Sequence, residues 1–188
     1  MASARVFLVK HAMPAIDPAV PAPRWGLSKR GIDDARRLAE VARGWGVRAV
    51  YASVEPKAKS TALILGDGVR APVHVVEGLE EQRWEEWVDN TDEFNGLVRA
   101  MLDEPDVSIR GAEPMAQAAE RFARAMALIA AGDLPAAVVA HGRVMTAWLR
   151  REGATHDAFA LWRSMPLPGW AEVGLGPPVR LLTSFAGV

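Results

Sequence analysis

Apolar positions fall into short blocks along the chain, and their spacing switches between the continuous runs of buried strands and the three-to-four-residue recurrence of helices. Val6-Phe7-Leu8-Val9 is an unbroken, partly β-branched run and reads as a buried strand. It ends at Lys10-His11-Ala12, and the prolines between positions 14 and 23 forbid a regular helix, so a shaped loop follows. Residues 28–44 read as a helix: Ser28 is suited to its N-cap, and Ile32, Ala35, Leu38, Ala39 and Ala42 recur at helical spacing. A second strand is expected over 47–51, followed by Ser53, then a helix over 58–65 that Gly66-Asp67-Gly68 should stop. Residues 73–76 form a third strand pattern, whereas the acidic, tryptophan-containing stretch 77–89 fits neither period. Helices are expected over 95–102 and 114–131, the latter with Met115, Ala119, Phe122, Met126 and Ile129 on one side. A fourth strand, 136–140, ends at His141-Gly142; a helix over 144–152 follows, and 170–173 and 179–182 should add edge strands.

Strands alternating with helices specify an α/β fold: a three-layer sandwich in which a mostly parallel central sheet is flanked by helices. The 188 residues suffice for one domain spanning 1–188, and no repeat or linker divides them. Half the residues are hydrophobic and 24% are charged, an ordinary globular balance. The net charge of −1, with Lys and Arg dispersed, argues against a nucleic-acid partner but leaves room for a local cationic pocket. Without cysteine there is neither a disulfide nor thiol chemistry. No secretory leader and no membrane-length apolar run is visible, so a cytoplasmic protein with no membrane partner is expected.

Ligands of open α/β sheets bind beyond the carboxyl ends of the strands. His11 follows the first strand and His141 the fourth, so two of the four histidines fall where a site belongs. His74 lies inside a strand pattern and His156 in a polar stretch after a helix. One histidine at a strand end is an ordinary packing or capping residue. Two, each followed by a small residue, point to a shared site.

Several segments carry a family resemblance in a fixed order. Leu8-Val9-Lys10-His11-Ala12 resembles a signature of apolar strand, Arg, His, then Gly or Ala. Leu27-Ser28-Lys29-Arg30-Gly31 resembles a Leu-Thr/Ser-x-x-Gly helix opening. Ala52-Ser53 with Lys57-Ala58-Lys59-Ser60-Thr61-Ala62 is similar to a phosphate-pocket motif, Leu79-Glu80-Glu81 to a Leu-x-Glu segment that carries an acid, and Gly111-Ala112-Glu113 loosely to Gly-Glu-Ser. Val138-Val139-Ala140-His141-Gly142 resembles a second histidine motif. Together these resemble the histidine phosphatase (phosphoglycerate mutase-like) superfamily, and the length is closer to its phosphatase branch than to its longer mutases.

The resemblance implies hydrolysis of a small phosphorylated substrate through a phosphohistidine on His11, which must be neutral to attack. Lys10, Lys57, His141 and Ser53 would hold the phosphoryl oxygens, and Glu81, with Glu80 its neighbour, would serve as general acid through a raised pKa or a proton brought by the substrate. The scheme requires no metal and no cofactor, and no metal-ligand spacing stands out. Lys10 and Lys57 stand where the family has Arg, keeping charge but losing the planar fork that grips two oxygens. Val54 and Ser60 replace Pro and Gln. These departures open a second possibility, a weakly active or inactive member that binds a phosphorylated ligand or partner; a phosphomutase ranks third. Trp25, Trp84 and Trp87 stand beside the expected site, as stacking surfaces for a substrate or as packing residues.

Overall fold

The computed structural model describes residues 4–188. The N-terminal apolar run folds as β1 (Arg5–Lys10), with Val6, Phe7, Leu8 and Val9 all buried, because both faces of this strand are covered by helices. A loop closed by a bridge between Pro14 and Leu27 leads to α1 (Lys29–Ala42), whose N-cap, Ser28, accepts from the Gly31 N–H at 3.0 Å. There follow β2 (Ala49–Ala52), α2 (Pro56–Val69), β3 (Val73–Val75), α3 (Thr91–Asp103), α4 (Met115–Ala130), β4 (Ala136–Ala140), α5 (Gly142–Arg151), α6 (Ala158–Ser164), β5 (Gly169–Gly174) and β6 (Arg180–Leu181).

The sheet runs in the order β3-β2-β4-β1-β5-β6. The first four of these strands are mutually parallel, while β5 lies antiparallel to β1 and β6 antiparallel to β5. Alternate residues of one strand face opposite layers. Val6, Leu8, Ala136 and Val138 meet Phe122, Met126 and Ile129 of α4 and Met145, Trp148 and Leu149 of α5. Phe7, Val9, Ala137 and Val139 meet Leu38, Ala39 and Ala42 of α1 and Ala58, Ala62 and Leu65 of α2. A third cluster joins Trp84, Val98, Met101, Leu102 and Met115, with Phe94, Phe159 and Trp162 packed against it. The α/β sandwich read from the sequence is therefore the fold.

Local differences have physical causes. Helix α2 runs through Gly66-Asp67-Gly68 instead of stopping there. A Cβ on Gly66 would lie 2.4 Å from Val73 Cγ2, and one on Gly68 2.6 Å from Ala39 Cβ, so close packing against β3 and α1 outweighs the weak helical propensity of glycine. Helix α3 starts at Thr91, four residues before the expected start, because the Asn90 side chain accepts from the N–H groups of Asp92 and Glu93. The short helix α6, capped by Asp157, was not expected. Of the two C-terminal strands only β6 is an edge; β5 lies inside the sheet, beside β1.

Gly31 fixes the loop after β1. A Cβ there would fall 2.1 Å from the Met13 carbonyl oxygen, which accepts from both the N–H and the hydroxyl of Ser28 at 3.0 and 3.1 Å. Gly31→Ala should therefore cost about 1–3 kcal/mol of stability, the usual scale of overpacking. A denaturant midpoint equal to that of the wild type would show that the loop moves aside without cost.

Candidate functional site

The two histidines are neighbours because their strands are neighbours. Lys10 is in register with Ala140, and the His11 N–H continues the ladder by donating to the Ala140 carbonyl at 3.1 Å. The imidazole rings of His11 and His141 lie 5.1 Å apart, centroid to centroid. Both are buried, at 7% and 0% exposure. His74 sits exposed on β3 at the sheet edge and His156 is exposed before α6, so neither joins them.

Burial decides the charge of both rings. His11 is pushed down to about 4, mainly by loss of solvent; its bond to the Ala12 carbonyl opposes this, and the ammonium groups of Lys57 and Lys10 add to it. His141 is lowered well below the ordinary range, again first by burial and then by His11, Lys57 and Arg143. The His11 tautomer follows from its partner. His11 Nδ1 lies 2.8 Å from the Ala12 carbonyl oxygen, which can only accept, so Nδ1 carries the proton and Nε2 keeps a free lone pair. Ser53 Oγ accepts from the Glu55 N–H at 3.2 Å and lies 2.9 Å from His141 Nε2, in hydrogen-bond contact with that nitrogen. His141 Nδ1 is a buried nitrogen with no hydrogen-bond partner among the described residues.

The cations surround this pair. Lys10 Nζ donates to the Met165 carbonyl at 3.1 Å, and burial lowers the ammonium to about 8 against the opposing pull of the Glu81 carboxylate. Lys57, 5% exposed at the start of α2, donates to the Ala22 carbonyl at 2.7 Å and to Glu55 Oε2 at 2.5 Å. One turn on, Thr61 donates to the Lys57 carbonyl and accepts from the Ala12 N–H at 3.0 Å, tying α2 to the backbone beside His11.

Glu81 and Glu80 part company. Glu80 turns to the Gly78 N–H at 2.7 Å and to Arg121. Glu81 closes the start of α5, accepting from Val144 N–H at 2.9 Å and Arg143 N–H at 3.2 Å, with its own Gln82 N–H at 2.9 Å and the Arg143 guanidinium 3.7 Å away. This cap explains why α5 begins at Gly142 and not at Val144. Burial pushes the Glu81 carboxyl up, but Arg143 and the three N–H bonds outweigh it and hold it below the usual carboxylate range. The segment is held by Arg121, which grips Glu113 through both carboxylate oxygens and donates to the carbonyls of Gly78, Glu80 and Glu81.

Three residues at the site carried no assignment in the sequence reading: Glu55, Thr61 and Arg143. Glu55 and Thr61 flank Lys57 within the phosphate-pocket motif, and Arg143 follows His141-Gly142 directly, so nearness to a motif was the available signal. Trp84 is buried and stacked on Phe94 at 5.8 Å, which makes it a packing residue; Trp25 and Trp87 meet edge to face at 5.8 Å, and Trp87 remains 44% exposed. Among the described residues, no three His, Cys, Asp or Glu side chains cluster as a metal site requires.

Comparison with known proteins bears on the family and the fold. Residues 18–172 match the histidine phosphatase superfamily (branch 1). Three solved structures share the fold: a mycobacterial hydrolase (21% identity, covering 100% of this chain and 93% of that one, TM-score 0.80), a mycobacterial glucosyl-3-phosphoglycerate phosphatase in complex with VO3 (20%, 98% and 97%, 0.76), and an Escherichia coli protein described as an alpha-ribazole-5'-P phosphatase (20%, 98% and 98%, 0.73). Comparison with curated protein sequences finds no match. A family match across most of the chain makes this protein a member of the histidine phosphatase superfamily, branch 1.

Proposed function

We propose that the protein is a phosphatase that hydrolyses a small phosphomonoester through a phosphohistidine on His11. The observation that carries this reading is the neutral, buried His11, whose Nδ1 is committed to Ala12 and whose Nε2 is free beside a second buried imidazole and two lysines. Phosphatases named among the structural relatives act on phosphorylated small molecules, which supports the same substrate class.

In the first step Nε2 of His11 attacks phosphorus, the bond from phosphorus to the ester oxygen breaks, and the leaving oxygen takes a proton. In the second, water attacks phosphorus, the nitrogen–phosphorus bond breaks, and inorganic phosphate leaves with the ring restored. His141, Lys10 and Lys57 supply donors for the equatorial oxygens, and Ser53 orients the His141 ring through its contact with Nε2. Glu81 is held ionised in the ligand-free site, so a proton on the leaving oxygen is brought by the substrate phosphoryl group, and Glu81 is then placed as a base for the attacking water. A second reading, phosphate binding with little turnover, draws on the engagement of Lys57 by Glu55 and Ala22; vanadate binding without phosphate release would establish it.

His11→Ala should abolish phosphate release from a panel of phosphomonoesters while the far-ultraviolet circular dichroism is unchanged; retained activity would remove His11 as nucleophile. kcat/KM should fall below about pH 4, where His11 gains its proton and loses nucleophilicity, and on the alkaline side first as the substrate loses the phosphoryl proton it brings and then, above about pH 8, as Lys10 loses its charge. An acid limb that persists unchanged in a variant lacking His11 would disprove that assignment. Lys10→Arg should lower kcat/KM by about tenfold rather than restore a family advantage, because the ammonium is held as a point donor to the Met165 carbonyl and a longer, planar guanidinium changes that placement. A gain in kcat/KM would show that the pocket is detuned by lysine.

A further inference from the structure

Glu55 is a buried carboxylate that the phosphatase scheme does not use. It is 5% exposed and immediately precedes α2, yet its side chain makes no capping bond to that helix. It turns instead into the cluster where phosphate would sit. Oε2 accepts from Lys57 Nζ at 2.5 Å, while Oε1 accepts from the Glu81 N–H at 2.8 Å and lies 3.6 Å from His141 Nε2. Lys57 Nζ and the Glu81 N–H are groups of the kind an anion seeks, contributed by α2 and the segment before α3. The arrangement therefore already contains an anion.

The local charge balance shows the consequence. Glu81 is matched by Arg143 and by backbone N–H groups. Both histidines are neutral. That leaves the ammonium groups of Lys10 and Lys57 opposed by the carboxylate of Glu55, and a phosphate dianion entering this space meets a like charge on its principal cation. We propose that Glu55 is a built-in occupant of the phosphate pocket: its carboxylate holds Lys57 in the ligand-free protein, and a phosphoryl dianion binds only as this carboxylate takes up a proton. The proposal rests on the phosphatase reading and adds to it a selectivity of the same pocket, for phosphoryl groups that arrive with a proton or under mildly acidic conditions.

The environment of Glu55 favours such uptake. Burial pushes its carboxyl above the ordinary value and the Glu81 carboxylate adds to this, while Lys57 and the Glu81 N–H oppose it. His141 faces it without charge. An incoming dianion competes for Lys57, removes the group that most favours the ionised form, and makes protonation of Glu55 the path of least electrostatic cost. Below the point where Glu55 ionises the pocket presents both lysines to the ligand; above it, Glu55 must first be neutralised, so affinity falls as pH rises, up to about tenfold per pH unit for one linked proton.

The test uses sulfate, which stays a dianion from pH 5 to pH 8 and so contributes no titration of its own. Isothermal calorimetry in two buffers of different ionisation enthalpy measures proton uptake directly in the wild type. Uptake of close to one proton at neutral pH, with affinity falling toward pH 8, is the expected result. Glu55→Gln should bind sulfate about tenfold or more tightly at pH 7.5 and with its uptake abolished. A wild type that binds sulfate without proton uptake overturns the proposal, and so does a Glu55→Gln protein with the same uptake as the wild type, because the proton then goes to a histidine or to Lys10. Absence of sulfate binding in both proteins overturns the proposal and the phosphatase reading together. Proton-linked binding in a wild type that forms no phosphohistidine overturns the phosphatase reading alone.

Discussion

The parallel pairing of β1 with β4 is the constraint on which the site depends. Each strand is a nearly uninterrupted run of small and branched apolar residues, buried on both faces between two helical layers. A slip of one residue would turn every side chain to the opposite layer, so the register is fixed by the whole core and not by the site. That register sets Lys10 beside Ala140 and hence His11 beside His141. The separation of the two rings is thus inherited from the packing of Val6, Leu8 and Val138 against Phe122 and Met145. Burial, which the same packing imposes, is also what keeps both imidazoles neutral.

Around this rigid pair, the charged groups are arranged by exchange between elements. Glu81 supplies the cap that α5 lacks in its own sequence, and α5 in turn begins right after His141. Arg121 of α4 holds the carbonyls on either side of Glu81, so an irregular segment acquires a fixed backbone without regular secondary structure. Lys57 reaches from α2 to the Ala22 carbonyl, binding the proline-rich loop to the pocket wall. No helix among the described residues is long and apolar enough to cross a membrane.

Where hydrophobic spacing determined structure, the sequence was readable: β1, β4, α1 and α4 fall where the pattern put them, because buried runs and amphipathic helices leave a direct trace. What stayed hidden depended on partners distant in the chain. The cap of α5 lies about 60 residues away at Glu81, the passage of α2 through Gly66 and Gly68 depends on Val73 and Ala39, and the interior position of β5 depends on β1. The same holds for the site. Two histidines at strand ends suggested a shared centre, and the structure brings His11, His141, Lys10, Lys57, Ser53 and Glu81 together. Glu55 was invisible because an acid before a proline looks like any helix-start residue; only the fold shows its side chain turned away from the helix.

The order of the sheet also governs how the protein comes into being. β1 is the first strand of the chain, yet its neighbours are β4 and β5, and Val6 pairs with Ala136, about 130 residues further on. During synthesis this oily strand emerges about 130 residues before β4, its parallel partner, and closing so long a loop is slow. The pairing of the two buried imidazoles is accordingly one of the last features to assemble. A nascent or truncated chain ending before β4 carries an exposed sticky strand and half a centre, so competence for chemistry and protection from aggregation arrive in the same step.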